Sequence, residues 1–330
     1  MDQVAAHLDK GWELARLADF SGAALSAQSA LALDGGSAEA LNLLGYAQAL
    51  SGEPEEALAS YEAAIAIQDG FFEALLNAAE ICLFPLQEWE RAYEFAQRAL
   101  AVADNAEEII DGTLLSFDAL LNIGRHNDAR ELLATLPDPP FPHPVHPLMI
   151  GRAYFEIQDF DKAEKMLAQA EERDPENPDP SYFRAFILDQ QGKTREATMA
   201  FLKSLALEQY QQPLAWSYSA GDFEGLVHEI VHDLPAHLRA VLDGEEVYVA
   251  TLPGVEVVAE GADPRTPVLI DVLEGDGPAF RIFVYQRNIE RMAGVPSAIA
   301  QEIREALMQE VASVAFEHQL SAFKPSTQLN

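Results

Sequence analysis

The feature that most restricts this chain is a period. Shifted against itself by 34 residues, the sequence superposes Gly11 on Gly45, Ala23 on Ala57 and Ala30 on Ala64. A repeat of that length is diagnostic of stacked helix pairs, each unable to bury its apolar face without a neighbour. The motif of the second helix returns six times. It reads ADFSGAALSAQSALALDG at 18–35, GEPEEALASYEAAIAIQDG at 52–70 and EWERAYEFAQRALAVAD at 88–104, the last with one extra residue before it. GRHNDARELLATLPD at 124–138 is the weakest copy and QDFDKAEKMLAQAEERDPEN at 158–177 the fullest, followed by GKTREATMAFLKSLALE at 192–208. In every copy a small residue stands where the two helices cross most closely: Ala23, Ala57, Ala92, Ala129, Ala163 and Ala197. A larger side chain there forces the helices apart. Four residues on, Tyr61, Leu133, Leu167 and Phe201 are expected to fill the gap to the next pair, with Ala27 and Ala96 in the first and third copies. Gly45 and Gly151 are expected to serve the same close approach on first helices, and Pro175 to end a second helix.

These copies, spread over roughly residues 4 to 210, resemble the tetratricopeptide repeat pattern GDYDEAIEYYQKALELDP. The resemblance implies an all-α solenoid, a superhelix of about six repeats, over residues 1–210, with residues 211–330 forming a second domain. It also implies a concave surface lined by first helices that holds an extended or helical peptide. Trp12, Asn42, Tyr46, Arg152, Phe155, Tyr182 and Phe186 occupy first-helix positions expected to carry recognition. Packing between repeats is the alternative role for each aromatic. The partners implied are protein or peptide segments, and no cofactor is expected.

Charge narrows the partner further. With 54 acidic against 21 basic residues the formal net charge is -33, which repels phosphate backbones and anionic membrane surfaces. Nucleic acid and membranes are therefore not expected, whereas a basic peptide is; a solvated face is the plainer use of the same charge. The lone Cys82 cannot form an internal disulfide, the opening MDQVAAHLDKGWELARL lacks a basic start followed by an apolar core, and no apolar run is long enough to span a bilayer. A cytoplasmic location is expected. The segment LPDPPFPHPVHP at 136–147 holds six prolines and should be an extended connection; His126, His143 and His146 have no cysteine or carboxylate cluster beside them in sequence, so no metal is expected there. Neither a glycine-rich phosphate loop nor a Gly-x-Ser-x-Gly elbow occurs.

Beyond residue 210 the period stops. DFEGLVHEIVHDLPAHLRAVLDG at 222–244 predicts a helix capped by Asp222, bent or restarted at Pro235 and stopped at Gly244. EEVYVATLP, TPVLIDVLEG and AFRIFVYQR predict three strands, and PSAIAQEIREALMQEVASVAFEHQL at 296–320 a long final helix, giving a small α+β domain. Within the first of these helices HEIVH, residues 228–232, spells a zinc motif in which two histidines hold metal and a glutamate activates water. At about 100° per residue, with Phe223 at zero, Leu226, Val227, Ile230, Val231 and Leu234 fall within roughly -60° to +80°. His228 and His232 then lie near 140° and 180° and Glu229 near -120°, on the side turned from the core. A catalytic zinc needs its histidines aimed into a cleft with further donors.

Residues 222–322 resemble the small bacterial zincin-like metallopeptidase family, in which a helix and an LP turn precede strands ending in LY or VY and a last helix bears HExAHHFG. FEGLVHEIVHDLPAHLRAVLDG is similar to its first helix, PVLIDVLEG to its central strand, and RIFVYQRNIERMAG to the strand and turn before its last helix. The resemblance places the metal helix on LMQEVASVAFEHQL, where Gln309 and Ser313 stand for the two zinc histidines, Glu310 keeps the general-base position, and the third ligand falls near Gln319 or Leu320. Gln and Ser are poor zinc ligands beside imidazole, so the family's fold is implied and its activity is not. With Ile303 at zero, Ile299, Leu307 and Val314 lie within about 40° of the stripe centre and Glu310 near -20°, so its carboxylate is expected to be partly buried, or else to reach water or Arg281; His318 shares the arc. The reading is an inactive zincin-like domain behind a peptide-binding array, without metal. The alternative is a zinc metallopeptidase using His228, Glu229 and His232 with a third donor such as His237 or Glu246, or an unorthodox site around Glu310, with the repeats recruiting substrate.

Overall fold

Every copy of the repeat motif folds as the second member of a helix pair. The pairs are α1 Gln3–Arg16 with α2 Phe20–Leu33, α3 Ala38–Leu50 with α4 Pro54–Ile67, and α5 Phe72–Leu83 with α6 Trp89–Val102. They continue with α7 Ala106–Ile123 and α8 His126–Leu133, α9 His146–Glu156 and α10 Phe160–Arg173, and α11 Asp179–Gln190 and α12 Thr194–Tyr210. The computed structural model describes residues 3–235, 246–273 and 279–317. It divides into two compact units, Met1–Pro175 and Glu176–Asn330, so the sixth pair belongs to the second unit. Pro175 follows Asp174, the residue that caps the end of α10.

The turns within pairs share one device. Two residues before each second helix the backbone is left-handed, at Ala18, Gly52, Gln87, Gly124, Gln158 and Gly192, with φ between 54° and 86°. Glycine adopts that conformation freely, whereas a side chain there costs roughly 1–2 kcal/mol. Packing follows from the small residues. Ala23, Ala57, Ala92, Ala129, Ala163 and Ala197 are all buried, at most 3% exposed. A Cβ on Gly45 would sit 2.7 Å from Cε1 of Tyr61 and 3.1 Å from the carbonyl oxygen of Ala57, so glycine is what lets α3 approach α4. Overfilling such a contact costs roughly 1–3 kcal/mol.

The first unit is cored in stages, as a repeat array must be, because each pair touches only its neighbours. Leu8, Ala23, Ala27 and Leu43 form one cluster. Tyr61, Leu75, Cys82 and Phe95 lie in a second, and Ile110, Phe117, Leu133 and Ile150 in a third. The proline-rich connection is pinned to this last core: Phe141 is buried, and Arg173 donates to the carbonyl oxygens of Phe141 at 3.3 Å and His143 at 3.1 Å.

The second unit continues from α12 through α13 Ala220–Asp233, β1 Glu246–Ala250, α14 Val255–Ala259, β2 Val268–Leu273, β3 Ala279–Tyr285 and α15 Gln286–Ala293. A 3-10 turn at Pro296–Ala298 leads into α16 Ile299–Glu317. The expected order of helix, three strands and helix is present, with α14 and α15 added. The sheet runs β1-β3-β2, with β1 parallel and β2 antiparallel to β3. One face of it, Val268, Ile270, Ile282 and Val284, packs against Phe223, Val227 and Ile230 of α13 and Ile299, Ile303 and Leu307 of α16.

Two expectations change here. Ser219 caps α13, accepting from the Asp222 amide at 3.2 Å while its own hydroxyl donates to Asp222 Oδ2 at 2.6 Å. Asp222 therefore braces the cap instead of being it, because a side chain at the cap position must precede the amide it satisfies by about three residues. The helix ends before Leu234 and Pro235, and the restart and the stop at Gly244 lie outside the described residues. No described helix is long and apolar enough to cross a membrane.

Candidate functional site

First helices that are one repeat apart bring equivalent side chains into contact, and this makes a ladder on the first unit. Trp12 of α1 and Tyr46 of α3, 34 residues apart, tilt against each other with ring centroids 5.4 Å apart, both half-buried. Asn77 of α5 donates its side-chain amide to Asn42 Oδ1 of α3 at 3.1 Å. Arg152 of α9 reaches both carboxylate oxygens of Asp118 on α7, at 2.9 and 2.6 Å. Phe84, Asp118, Leu121, Asn122, Arg152 and Glu156 line an open depression of about 300 Å³, with Phe84 54% exposed. Phe155 lies 6.2 Å from Phe160, within its own pair. Asn42, expected at the surface, is buried at 3% exposure, since its amide is spent on the Asn77 rung.

Asp118 shows what a buried rung costs. Its side chain is 13% exposed, and burial raises its carboxyl above the usual range against the opposing pull of Arg152. A carboxyl raised in the folded state holds its proton more tightly there than in the unfolded chain. Its contribution to stability is present below the unfolded pKa and lost as pH rises through the folded one. Asp118→Asn is therefore expected to gain stability relative to wild type as pH climbs from about 4 to about 7. Urea unfolding at the two pH values measures it, and a difference moving the opposite way contradicts the account.

Tyr182 and Phe186, the two candidates on α11, are engaged within the second unit. Their rings meet edge to face at 5.0 Å, Phe186 meets Phe201 of α12 at 5.1 Å, and Val258 of α14 is fully buried among them. The Tyr182 hydroxyl donates to Asp263 Oδ2 at 3.0 Å, and the Arg265 guanidinium lies over its ring at 4.0 Å. Arg265 pairs with Asp179 and stands 3.7 Å from Glu208, whose carboxylate also pairs with Arg291 of α15 and whose carbonyl oxygen accepts from Arg287. Sequence reasoning missed this ionic cluster. The signal available was Arg287 and Arg291, one turn apart in VYQRNIERMAG, facing one way on a short helix.

HEIVH lies on α13 with Phe223, Val227 and Ile230 buried and His228, Glu229 and His232 exposed. The Nε2 of His228 is 4.0 Å from Glu224, one turn earlier on the same helix. Of the third donors considered, His237 and the side chain of Glu246 lie outside the described residues. Among the described residues no three His, Cys, Asp or Glu side chains converge. On α16, Gln309 and Ser313 are exposed, while Glu310 is half-buried and accepts from the Ile270 amide of β2 at 3.4 Å. Glu310 thus covers an outward amide of an edge strand, beside Val268, whose carbonyl oxygen accepts from Thr266 Oγ1 at 2.8 Å. Arg281, the alternative partner expected for Glu310, pairs with Asp271 across β2 and β3. Gln319, Leu320, His318 and the Val314 side chain lie outside the described residues. In the first unit His146 is buried, its Nε2 3.2 Å from Asp111 and its Nδ1 accepting from the His143 amide at 3.4 Å. Nε2 therefore ties the end of the proline-rich connection to α7, and Nδ1 holds the turn of the connection itself.

The architecture defines an array of helix pairs joined to a small α+β unit. Residues 8–71 and 148–220 match models described as tetratricopeptide repeat, and the chain carries tetratricopeptide repeats. Among solved structures it is similar to PilF of Pseudomonas aeruginosa, at 16% identity and TM-score 0.54, covering 64% of this chain and 94% of that one. It is similar to the same degree to PilW, described as a widely conserved type IV pilus biogenesis factor, at 16% identity and TM-score 0.54, covering 64% and 96%. These likenesses establish the fold. No curated protein matches the chain.

Proposed function

We propose that this chain is a protein interaction scaffold that binds a peptide segment along the first-helix face of its first five pairs. The observation that carries the reading is the ladder of one-repeat contacts, Trp12 with Tyr46, Asn42 with Asn77 and Asp118 with Arg152. Such contacts fix aromatic and guanidinium groups in place while leaving part of each accessible, and preorganised anchors of these types dominate binding energy. A basic partner is favoured, because residues 1–175 hold 31 acidic against 10 basic side chains. The second unit is read as a zincin-like domain that does not cut. Supporting that are its element order and, at the positions the resemblance gives to zinc histidines, exposed Gln309 and Ser313, which ligate poorly. Its Glu310 has an edge-strand amide to hold in place of a water to activate.

Capture of partners from a lysate by the full chain, repeated with Trp12→Ala and Tyr46→Ala, tests the scaffold reading. Each substitution is expected to weaken binding by about tenfold or more, with affinity falling as salt rises. A partner held equally by both variants would overturn it.

A further inference from the structure

We propose that the connection between β1 and β2, residues 252–266, is an intramolecular ligand of the sixth helix pair. The inference rests on reading first-helix faces as recognition faces. Tyr182 and Phe186 precede the small residue Ala197 by the same intervals at which Asn42 and Tyr46 precede Ala57. They occupy the register that forms the ladder in the first unit. Phe201 stands four residues after Ala197, the place that fills the gap to a following pair, and the repeat pattern supplies no seventh copy. Val258 covers it, fully buried, with Leu252 packed alongside.

The covering segment has the anatomy of a bound peptide, an apolar anchor flanked by polar clamps. Helix α14 has five residues, too few to hold a helix alone, so docking is what orders it. Val258 is the anchor. Asp263 accepts from the Tyr182 hydroxyl, and Arg265 lies on the Tyr182 ring while pairing with Asp179 and approaching Glu208. The receptor also has contacts outside this segment, since Arg287 and Arg291 bind Glu208 from α15, while Asn288 of the same helix donates to the carbonyl oxygens of Pro264 and Thr266 in the segment. External partners are consequently left the first five pairs, and a peptide of similar chemistry, an aliphatic anchor followed by an acid and an arginine, competes for the sixth.

The test uses the full chain with residues 252–265 replaced by a glycine-serine linker of equal length. A synthetic peptide of residues 251–267 is expected to bind this variant saturably, followed by polarisation of a label on the peptide. Wild type should not bind it below about 1 mM, the order of the tethered segment's effective concentration. The peptide carrying Arg265→Ala should bind about tenfold more weakly or worse. Equal binding of the two peptides, or none to the folded linker variant, overturns the proposal. So does loss of hydrogen-exchange protection throughout α11 and α12, because a receptor outlasts its ligand whereas a fold does not outlast an obligatory cap. Capture of an external partner by the first five pairs is a separate readout, so failure of the scaffold reading leaves this outcome distinguishable.

Discussion

Glu208→Ala is expected to lower the stability of the unit 176–330 by about 3–5 kcal/mol, the loss seen when one member of a buried ion pair is removed. Glu208 is 7% exposed, and its carboxylate is the anion that Arg291 and Arg265 share. Burial pushes the Arg291 guanidinium down from its ordinary value, and the nearby Arg265 pushes the same way, with Glu208 opposing them. Without that carboxylate two guanidinium groups face one another with Asp179 as the remaining acid at Arg265. Hydrogen exchange resolved by segment measures the effect, since protection should fall in α12 and α15 while α1 to α10 keep theirs. Glu208→Gln, which keeps the shape and a single acceptor, should also lose stability. A loss under about 1 kcal/mol for the alanine variant would mean that the cluster is a solvated surface network.

The second large effect separates the two faces of α13. Phe223→Ala is expected to cost about 3–5 kcal/mol, because the ring is fully buried against the sheet and α16 and leaves a cavity. Replacing His228 and His232 together by alanine should stay within about 0.5 kcal/mol, as exposed substitutions do. Urea unfolding of both variants, with metal analysis of untagged protein, decides between the two uses of HEIVH. Bound zinc is coupled to folding, so a zinc site would make the histidine variant lose both metal and stability. That result would restore the metallopeptidase reading.

Much of the architecture could be read from residue spacing. The six alanines at one register predicted six pairs because a close crossing tolerates nothing larger, and each of them is buried. The angular position of the HEIVH imidazoles followed from Phe223, Val227 and Ile230 lying on the opposite arc. Helices α14 and α15 leave no periodic signal in the sequence, for a physical reason. Five and eight residues span too few turns for a period of 3.6 to declare itself, and both gain their order from what they touch. Spacing alone does not locate the cap of α13, because Ser219 and Asp222 are both good capping residues; the Asp222 amide donating to the Ser219 hydroxyl oxygen makes Ser219 the cap.

The candidate site was legible in part. Trp12, Tyr46 and Arg152 stand on the first-helix ladder, whereas Asn42 is buried within it and Tyr182 and Phe186 are covered by the chain itself. The sequence by itself determined the repeat register, the helix faces and the direction of the two imidazoles, because each depends on the fixed rotation per residue of a helix. Only the tertiary structure decided that Glu310 meets the Ile270 amide and that Asp263 meets Tyr182 across 81 residues. Contacts closed by long loops obey no spacing rule, since closure entropy grows only slowly with loop length and the partner is set by which surfaces remain to be buried.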